Sequence, residues 1–267
     1  MMTETPQTAR VTTSWDDGHP LDFRIAGLLE KYGLTGTFYV PRSAPRGVMT
    51  SDQIRELSSR FEIGAHTLDH VYLNRVSNAV AVEQLSGSRR WIEDLTGRSC
   101  QVFCFPGGKY RASQLPLVRA AGFLGARTVE LLSIRPPEPI KGLLLIPTTA
   151  QVFAHRTSTY ARNLLLRGRT IFPFRARDFL HTRDWVALAE RLLVRAVHAG
   201  GVFHLWGHSW EIEQHCQWEN LERVLSLLSR CAPQPRFVTN GALCQTALAP
   251  AEMTARATNA NRFTEAR

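Results

Sequence analysis

Two adjacent aspartates end an apolar, β-branched segment near the start of the chain. Asp16 and Asp17 lie in "VTTSWDDGHP", residues 11–20, directly before a glycine. Repulsion between neighbouring carboxylates is unfavourable, so a cation, a helix N-terminus or water must offset it. If a divalent cation neutralises one carboxylate, the other stays free to accept a proton. The alternative is a solvated turn in which one aspartate caps the following helix.

A pair of histidines offers ligands for such a cation. His66 and His70 in "GAHTLDH" are four residues apart, so one helical turn after His66 would let both rings face the same point. Two neutral imidazoles and one carboxylate suit Zn²⁺ and leave an open position for water. This spacing is unsurprising by chance in a chain with nine histidines. Its combination with a D-D-G segment at another strand end favours a metal site.

Predicted strands alternate with predicted helices along the chain. β-Branched and aromatic segments predict strands, and apolar residues at helical spacing predict helices. Residues 134–180 contain several prolines and no clear period, so no element is assigned there. The predicted strands are 10–15, 35–40, 62–67, 101–106, 124–129, 202–208 and 236–240, and the predicted helices are 21–33, 51–61, 78–97, 112–123 (interrupted by Pro116), 182–201 and 218–230.

This alternation predicts an α/β fold with a parallel sheet and crossover helices. Six or seven such units in about 240 residues fit a closed or nearly closed barrel better than an open sheet. We therefore predict one distorted (β/α) barrel of about seven parallel strands over residues 10–249. Residues 1–9 and 250–267 are predicted to be flexible.

Polar residues lie where the predicted strands end. Ligands of parallel α/β proteins bind at the carboxyl ends of the strands. The two aspartates end the first strand and His66 ends the third, while Arg127 and His208 lie on the fifth and on the penultimate strand. The segment 104–110 follows the fourth strand. Five strand ends thus direct polar groups to one face, which is the predicted site.

The composition is that of a soluble globular protein, with 44% hydrophobic and 21% charged residues. No apolar run is long enough to cross a membrane. The polar N-terminal segment does not resemble a secretory signal, which predicts a cytoplasmic protein. Five cysteines without a C-x-x-C pair argue against a disulfide framework and a cysteine-rich zinc site.

The formal net charge of +9 would suit an anionic partner, but an arginine-rich compositional bias together with solubility is the preferred explanation. No helix-turn-helix or zinc-finger spacing is present, so no nucleic-acid partner is predicted. Residues 162–179 are basic and apolar. Peripheral membrane contact is one interpretation of that segment, and a core-facing helix with solvated arginines is the preferred one. The oligomeric state is not predicted.

Four motifs carry a family resemblance over roughly residues 10–245. "TSWDDG", "HTLDH", "FCFPGGKY" and "FHLWGHSWE" occur in that order. Together they resemble the polysaccharide deacetylases of the nodulation-deacetylase type, carbohydrate esterase family 4. The resemblance implies a distorted (β/α) barrel, a divalent metal that is usually zinc, and hydrolysis of N-acetyl groups on sugars.

The resemblance also implies roles for single residues. Asp16 matches the family's catalytic base and Asp17 its metal-binding aspartate, while His66 and His70 match the two metal-binding histidines. His208 resembles the late histidine that acts as general acid. The backbone N–H of Gly107 is expected to bind the oxyanion of the tetrahedral intermediate.

Two departures from the family pattern matter. The family places an arginine two residues before the proline of its third motif, where this chain has Cys104. Arg127 is hypothesised to orient the base instead, with a plain surface residue or a salt-bridge residue as the alternative. The late motif is also longer and more aromatic than usual. Glu211 in it is hypothesised to orient His208 or to pair with an arginine.

Aromatic residues near the predicted site could contact a sugar ring. Tyr110 and Trp210 are predicted to bind substrate together with Gly107 and Arg127, whereas Trp206 is at least equally suited to the core.

The predicted activity is therefore removal of an N-acetyl group from an amino sugar that is an oligosaccharide, a lipid- or nucleotide-linked sugar, or a glycosylated metabolite. One alternative keeps the metal site and changes the bond to that of a ureide or cyclic amide. Another is a catalytically silent carbohydrate-binding relative.

Overall fold

A ten-stranded sheet forms the centre of the computed structural model, which describes residues 8–167, 184–231 and 234–249. Its strand order is β6-β7-β5-β4-β3-β2-β1-β9-β8, and β10 also pairs with β1. All pairs are parallel except the antiparallel pair β6 and β7. The strands are β1 Arg10–Asp16, β2 Thr37–Val40, β3 Glu62–Ala65, β4 Val102–Cys104, β5 Gly125–Arg127, β6 Glu138–Ile140, β7 Leu143–Ile146, β8 Ala150–Gln151, β9 Val202–Gly207 and β10 Arg236–Phe237.

Eight α-helices, labelled α1 to α8, connect these strands within the described ranges, and residues 240–249 form a further helical segment. Their ends follow local chemistry: Thr50 caps α2 through a capping box with Gln53, and Gly97 ends α3 in the left-handed conformation. The helices are α1 Asp22–Lys31, α2 Ser51–Ser58, α3 Asn78–Thr96, α4 Leu115–Ala120, α5 Thr157–Arg167, α6 Trp185–His198, α7 Ser209–Gln214 and α8 Trp218–Ser229.

The predicted fold class is confirmed. The sheet is an α/β half-barrel of mostly parallel strands. In the described part of the chain, its path ends at β6 on one side and β8 on the other, so the barrel is open rather than closed.

Two details of the prediction are wrong. Pro116 does not interrupt a helix, because α4 begins at Leu115 and places the proline in its first turn, where no backbone N–H is needed. The unassigned segment 134–180 contains β6, β7, β8 and α5. The predictions for residues 1–7, 168–179 and 250–267 lie outside the described residues.

Strand β1 carries polar side chains on one face. Thr12 bonds Asn240, Ser14 bonds His204, and Asp16 bonds Arg127, and all three side chains are buried. The two-residue period of a strand puts these alternate positions on the same face. Trp15, on the other face, belongs to the large apolar cluster beneath the helices. This inner polar face leads directly to the site at the carboxyl end of β1.

No helix within the described ranges is both long and apolar enough to span a membrane.

Candidate active site

The D-D-G turn presents both aspartates to the same place. Asp16 is the last residue of β1, and Asp17 and Gly18 then have φ of 77° and 60°. A left-handed conformation is unfavourable for aspartate and is found where the surrounding structure enforces it. A side chain at Gly18 would collide with Val40, since its Cβ would lie 2.7 Å from Cγ1. Asp16 and Asp17 are only 3% and 7% exposed. No side-chain hydrogen bond caps α1 at its N-cap residue, Leu21. The alternative of a solvated turn in which one aspartate caps this helix is therefore wrong.

Asp17, His66 and His70 converge. Asp17 Oδ1 lies 3.4 Å from His66 Nε2 and 3.0 Å from His70 Nε2, and one ligand atom from each residue lies within 4.8 Å of the others. His66 directly follows β3, and His70 has a φ of 51°. Burial raises the pKa of Asp17, but the adjacent imidazoles of His66 and His70 outweigh it and hold that pKa well below its usual range.

The tautomer of His66 suits metal binding. Its Nδ1 lies 2.9 Å from the backbone oxygen of Cys104, which can only accept a hydrogen bond, so Nδ1 carries the proton and Nε2 is free to ligate. Trp210 Nε1 donates to Asp17 Oδ2 at 2.9 Å, which leaves Oδ1 on the histidine side. Two imidazoles, one carboxylate and these two supporting bonds fit a divalent cation.

A second grouping fits a cation less well. Asp16, His66 and Cys104 also lie within 4.8 Å of one another. Arg127 already neutralises Asp16, and burial raises the pKa of the Cys104 thiol well above its usual range. A neutral thiol is a poor ligand and a poor nucleophile, so Cys104, which is fully buried, is a structural cysteine.

Arg127 lies against Asp16, as hypothesised from the missing family arginine. Its Nη2 donates to Asp16 Oδ1, and its guanidinium lies 4.4 Å from the Trp206 ring centroid and 5.6 Å from that of Tyr39. Arg127 is fully buried, so it is not a plain surface residue, and the carboxylate with which it forms a salt bridge is that of the predicted base. Burial raises the pKa of Asp16, but the charges of Arg127, His66 and His208 together outweigh it, with Arg127 the largest of the three, so the pKa lies below its ordinary value. Asp16 is therefore a carboxylate at neutral pH.

A chain of hydrogen bonds orients His208. Glu211 Oε2 lies 3.2 Å from His208 Nδ1 and accepts from Gln151 Nε2 at 3.0 Å, and Gln151 Oε1 lies 2.7 Å from His155 Nε2. With Nδ1 bonded to Glu211, His208 turns Nε2 toward Asp16 Oδ2, 3.9 Å away. Burial lowers the pKa of His208, but the bond to Glu211 and the nearby aspartates outweigh it, so the pKa lies above its usual value.

A cavity of about 440 Å³ opens onto Asp16 and His208. Gly107 lines it in the left-handed conformation. The next two backbone N–H groups bond the oxygens of Phe105 and Pro106, whereas that of Gly107 has no acceptor among the described residues. The full lining is Asp16, Gly107, Gly108, Lys109, Val129, Leu131, Gln151, His155, Thr159, Arg162, Asn163, Trp206 and His208.

The aromatic residues that line the cavity are not the ones predicted to contact a sugar ring. Tyr110 stacks on Phe105 with ring centroids 4.1 Å apart, and neither Tyr110 nor Trp210 is among the described residues that line the cavity. Arg46 lies over the Trp210 ring at 3.9 Å, and Trp206 does line the cavity. Substrate contact by Tyr110 and Trp210 stays a prediction.

Several residues of the site carry no signal in the sequence. Gln151 and His155 lie in the segment without a period. The sequence does not mark His204 as a site residue, although His204 lies beneath the site. Its Nε2 is 2.9 Å from Ser14 Oγ, and burial lowers its pKa to about 3. His204 is therefore a neutral structural residue.

The four motifs therefore meet at one edge of the sheet, and residues 3–126 match the sequence profile of a family described as polysaccharide deacetylase. Over this segment, just under half of its length, the chain is similar to the polysaccharide deacetylase family. The matched part includes the D-D-G turn, both metal-site histidines and most of β5. No curated protein matches the sequence.

Solved structures share the fold of this chain at low sequence identity. A candidate polysaccharide deacetylase from Mycobacterium smegmatis is 15% identical with a TM-score of 0.69, over 94% of this chain and 93% of that one. An allantoinase is 14% identical with a TM-score of 0.67, over 91% of both chains. A carbohydrate esterase family 4 pseudoenzyme from Bacillus anthracis is 16% identical with a TM-score of 0.53, over 90% of this chain and 66% of that one.

Replacing Trp210 with phenylalanine is expected to weaken divalent-metal binding by about tenfold, because it removes the hydrogen bond that orients Asp17. Zn²⁺ affinity, measured by competition with a chelating dye, checks this without any substrate. Trp206→Phe is the matched control, since Trp206 Nε1 has no partner among the described residues. Equal metal affinities in the two variants would contradict the role of Trp210.

Proposed function

We propose that this protein is a metal-dependent hydrolase that removes an N-acetyl group from an amino sugar and releases acetate. One observation carries the proposal: the Asp16 carboxylate, held by a buried arginine, lies between a two-histidine, one-aspartate cluster and a histidine suited to donate a proton. These are the base, the metal ligands and the acid that amide hydrolysis requires.

Asp17, His66 and His70 would hold the cation, with Zn²⁺ the preferred candidate for this donor set. A divalent cation bound there would polarise the amide carbonyl and lower the pKa of a coordinated water to about 7. Trp210 and the Cys104 carbonyl keep the ligand atoms of Asp17 and His66 turned toward that position.

Asp16 accepts the proton of the attacking water. Its charge is maintained by Arg127, and its second oxygen, Oδ2, faces His208 and the cavity. The water oxygen then bonds to the carbonyl carbon, and the carbonyl oxygen becomes negative. The N–H of Gly107, which lines the cavity and has no acceptor among the described residues, would donate to this oxyanion.

His208 completes the reaction by protonating the sugar nitrogen. Its raised pKa keeps it protonated nearer neutral pH, and Glu211 holds Nδ1 so that the Nε2 proton faces the cavity. As the C–N bond breaks, nitrogen keeps the electron pair and takes this proton. The products are acetate and a free amino sugar.

The proposal is tested by acetate release from N-acetylglucosamine and its short oligomers. We expect activity with Zn²⁺ supplied, loss of at least about 10²-fold after exhaustive chelation, and recovery when the metal is returned. Far-ultraviolet circular dichroism on the same samples controls for unfolding.

Allantoin and a cyclic amide are tested as alternative substrates under the same conditions. Product release from those compounds, without acetate from any N-acetyl sugar, would favour the ureide alternative and overturn the sugar proposal. Metal binding without turnover of any substrate would favour a silent relative. Retention of Asp16, Asp17, His66, His70 and His208 supports an active enzyme.

A further inference from the structure

The rim of the active-site cavity is basic. Asp16, at the base of the cavity, is buried, whereas Lys109 and Arg162 are exposed and line the same cavity from different elements. Lys109 follows the turn after β4, and Arg162 lies on α5. We call these two side chains the cationic rim. It faces whatever part of a substrate extends outward from the reacting amide.

The cationic rim is not neutralised by neighbouring carboxylates. By contrast, six surface arginines pair with carboxylates, namely Arg24, Arg42, Arg55, Arg60, Arg89 and Arg135. Neither Lys109 nor Arg162 has an acidic partner within the described ranges. Two unpaired cations on one cavity favour an anion within it.

The rest of the lining does not neutralise this charge. Asp16 is the single acidic residue among the described lining residues, and Arg127 already pairs with it. Burial lowers the pKa of His155, so its ring is neutral and supplies hydrogen bonds rather than charge. Thr159 and Asn163 add neutral polar groups near Arg162. The cavity therefore carries a net positive charge before any metal binds.

We propose that the amino-sugar substrate carries a phosphate group, and that the cationic rim binds it. This inference rests on the proposed deacetylase function and narrows its substrate class. A guanidinium can grip two phosphate oxygens at once, and an ammonium adds a mobile point charge. A cavity of about 440 Å³ lies in the lower part of the range for small-molecule sites, which favours one or two sugar units with a phosphate over a long polymer.

Four substrates separate the sources of that phosphate. They are neutral methyl N-acetylglucosaminide, N-acetylglucosamine 1-phosphate, UDP-N-acetylglucosamine and a farnesyl pyrophosphate-linked N-acetylglucosamine. We expect kcat/KM for acetate release to be at least about tenfold higher for a phosphorylated substrate than for the neutral glycoside. The order among the three phosphorylated compounds identifies a free, nucleotide or lipid source.

The decisive variant is Lys109→Gln combined with Arg162→Gln. We expect it to lower the ratio of phosphorylated to neutral kcat/KM by at least about tenfold, mainly through KM. Arg119→Gln combined with Lys141→Gln is the matched control, since it removes the same charge from exposed residues that do not line the cavity. The wild-type ratio should also fall as salt rises from about 0.02 to about 0.3 M.

A wild-type ratio near one, or the same ratio in both double variants, would overturn the phosphate site while leaving deacetylation intact. Calorimetric binding of N-acetylglucosamine 1-phosphate keeps the two proposals apart. If no substrate releases acetate but the rim variant alone binds this compound about tenfold more weakly, the proposed function fails and the phosphate site stands.

Discussion

Asp16→Asn is expected to lower kcat/KM for acetate release by about 10²–10⁴-fold, the usual contribution of a general base. Asparagine preserves the shape of the side chain and cannot accept the proton of the attacking water. The cation ligands Asp17, His66 and His70 are unchanged, so Zn²⁺ affinity should stay close to that of the wild type. Steady-state acetate release and metal competition together check both parts.

Asp16→Asn is also expected to lower the free energy of unfolding. Asp16 is the carboxylate partner of the buried Arg127, and asparagine leaves that charge unpaired at a cost of about 3–5 kcal/mol. Asp16→Asn combined with Arg127→Met removes both charges. We expect the double variant to regain much of the free energy of unfolding without regaining turnover. Restored activity in the double variant would show that Asp16 matters for folding and not for proton transfer.

The strand-end argument placed most of the site because it depends on topology rather than on exact boundaries. Parallel strands bring their carboxyl ends to one edge, so Asp16, His66, Arg127 and His208 meet even though β3 and β5 are shorter than predicted. The family resemblance then distinguished Asp17 from Asp16. The structure adds the contact itself. Arg127, at the end of β5 beside β4, pairs with Asp16 at the end of β1.

The segment 134–180 could not be assigned because its elements carry weak local signals. β8 has only two residues, and β6 is exposed, contains a proline and pairs antiparallel at the edge of the sheet. Such short strands form because neighbours are already in place, not because of their own hydrophobic period. Gln151 and Arg162 belong to this segment. Their contribution to the site arises from tertiary packing alone.

Trp210 shows a different limit of sequence reasoning. An aromatic residue beside a sugar-processing motif suggests a platform for the sugar ring. The structure instead turns the indole N–H to Asp17 and places Arg46 over the ring. A side chain with an apolar face and one donor can serve either purpose, and only its neighbours decide which.

The second large effect is expected from Arg127→Met, which should lower kcat/KM at neutral pH by about a hundredfold. Methionine fills similar space but supplies no charge. Burial then raises the pKa of Asp16 without the opposing guanidinium, so the base becomes protonated. Because a raised pKa leaves less carboxylate at neutral pH, the acid limb of the rate profile should move to higher pH. Activity should therefore recover in part as pH rises.

Arg127→Lys is the matched control for that variant. An ammonium keeps the positive charge but loses the planar fork, so we expect a smaller loss of turnover and a smaller displacement of the acid limb. Damage to packing alone would lower the rate equally at every pH and would not depend on the charge of the substituent. An Arg127→Met enzyme with the wild-type pH profile would therefore exclude Arg127 from holding the base, because the charge on Asp16 would then be maintained by another group.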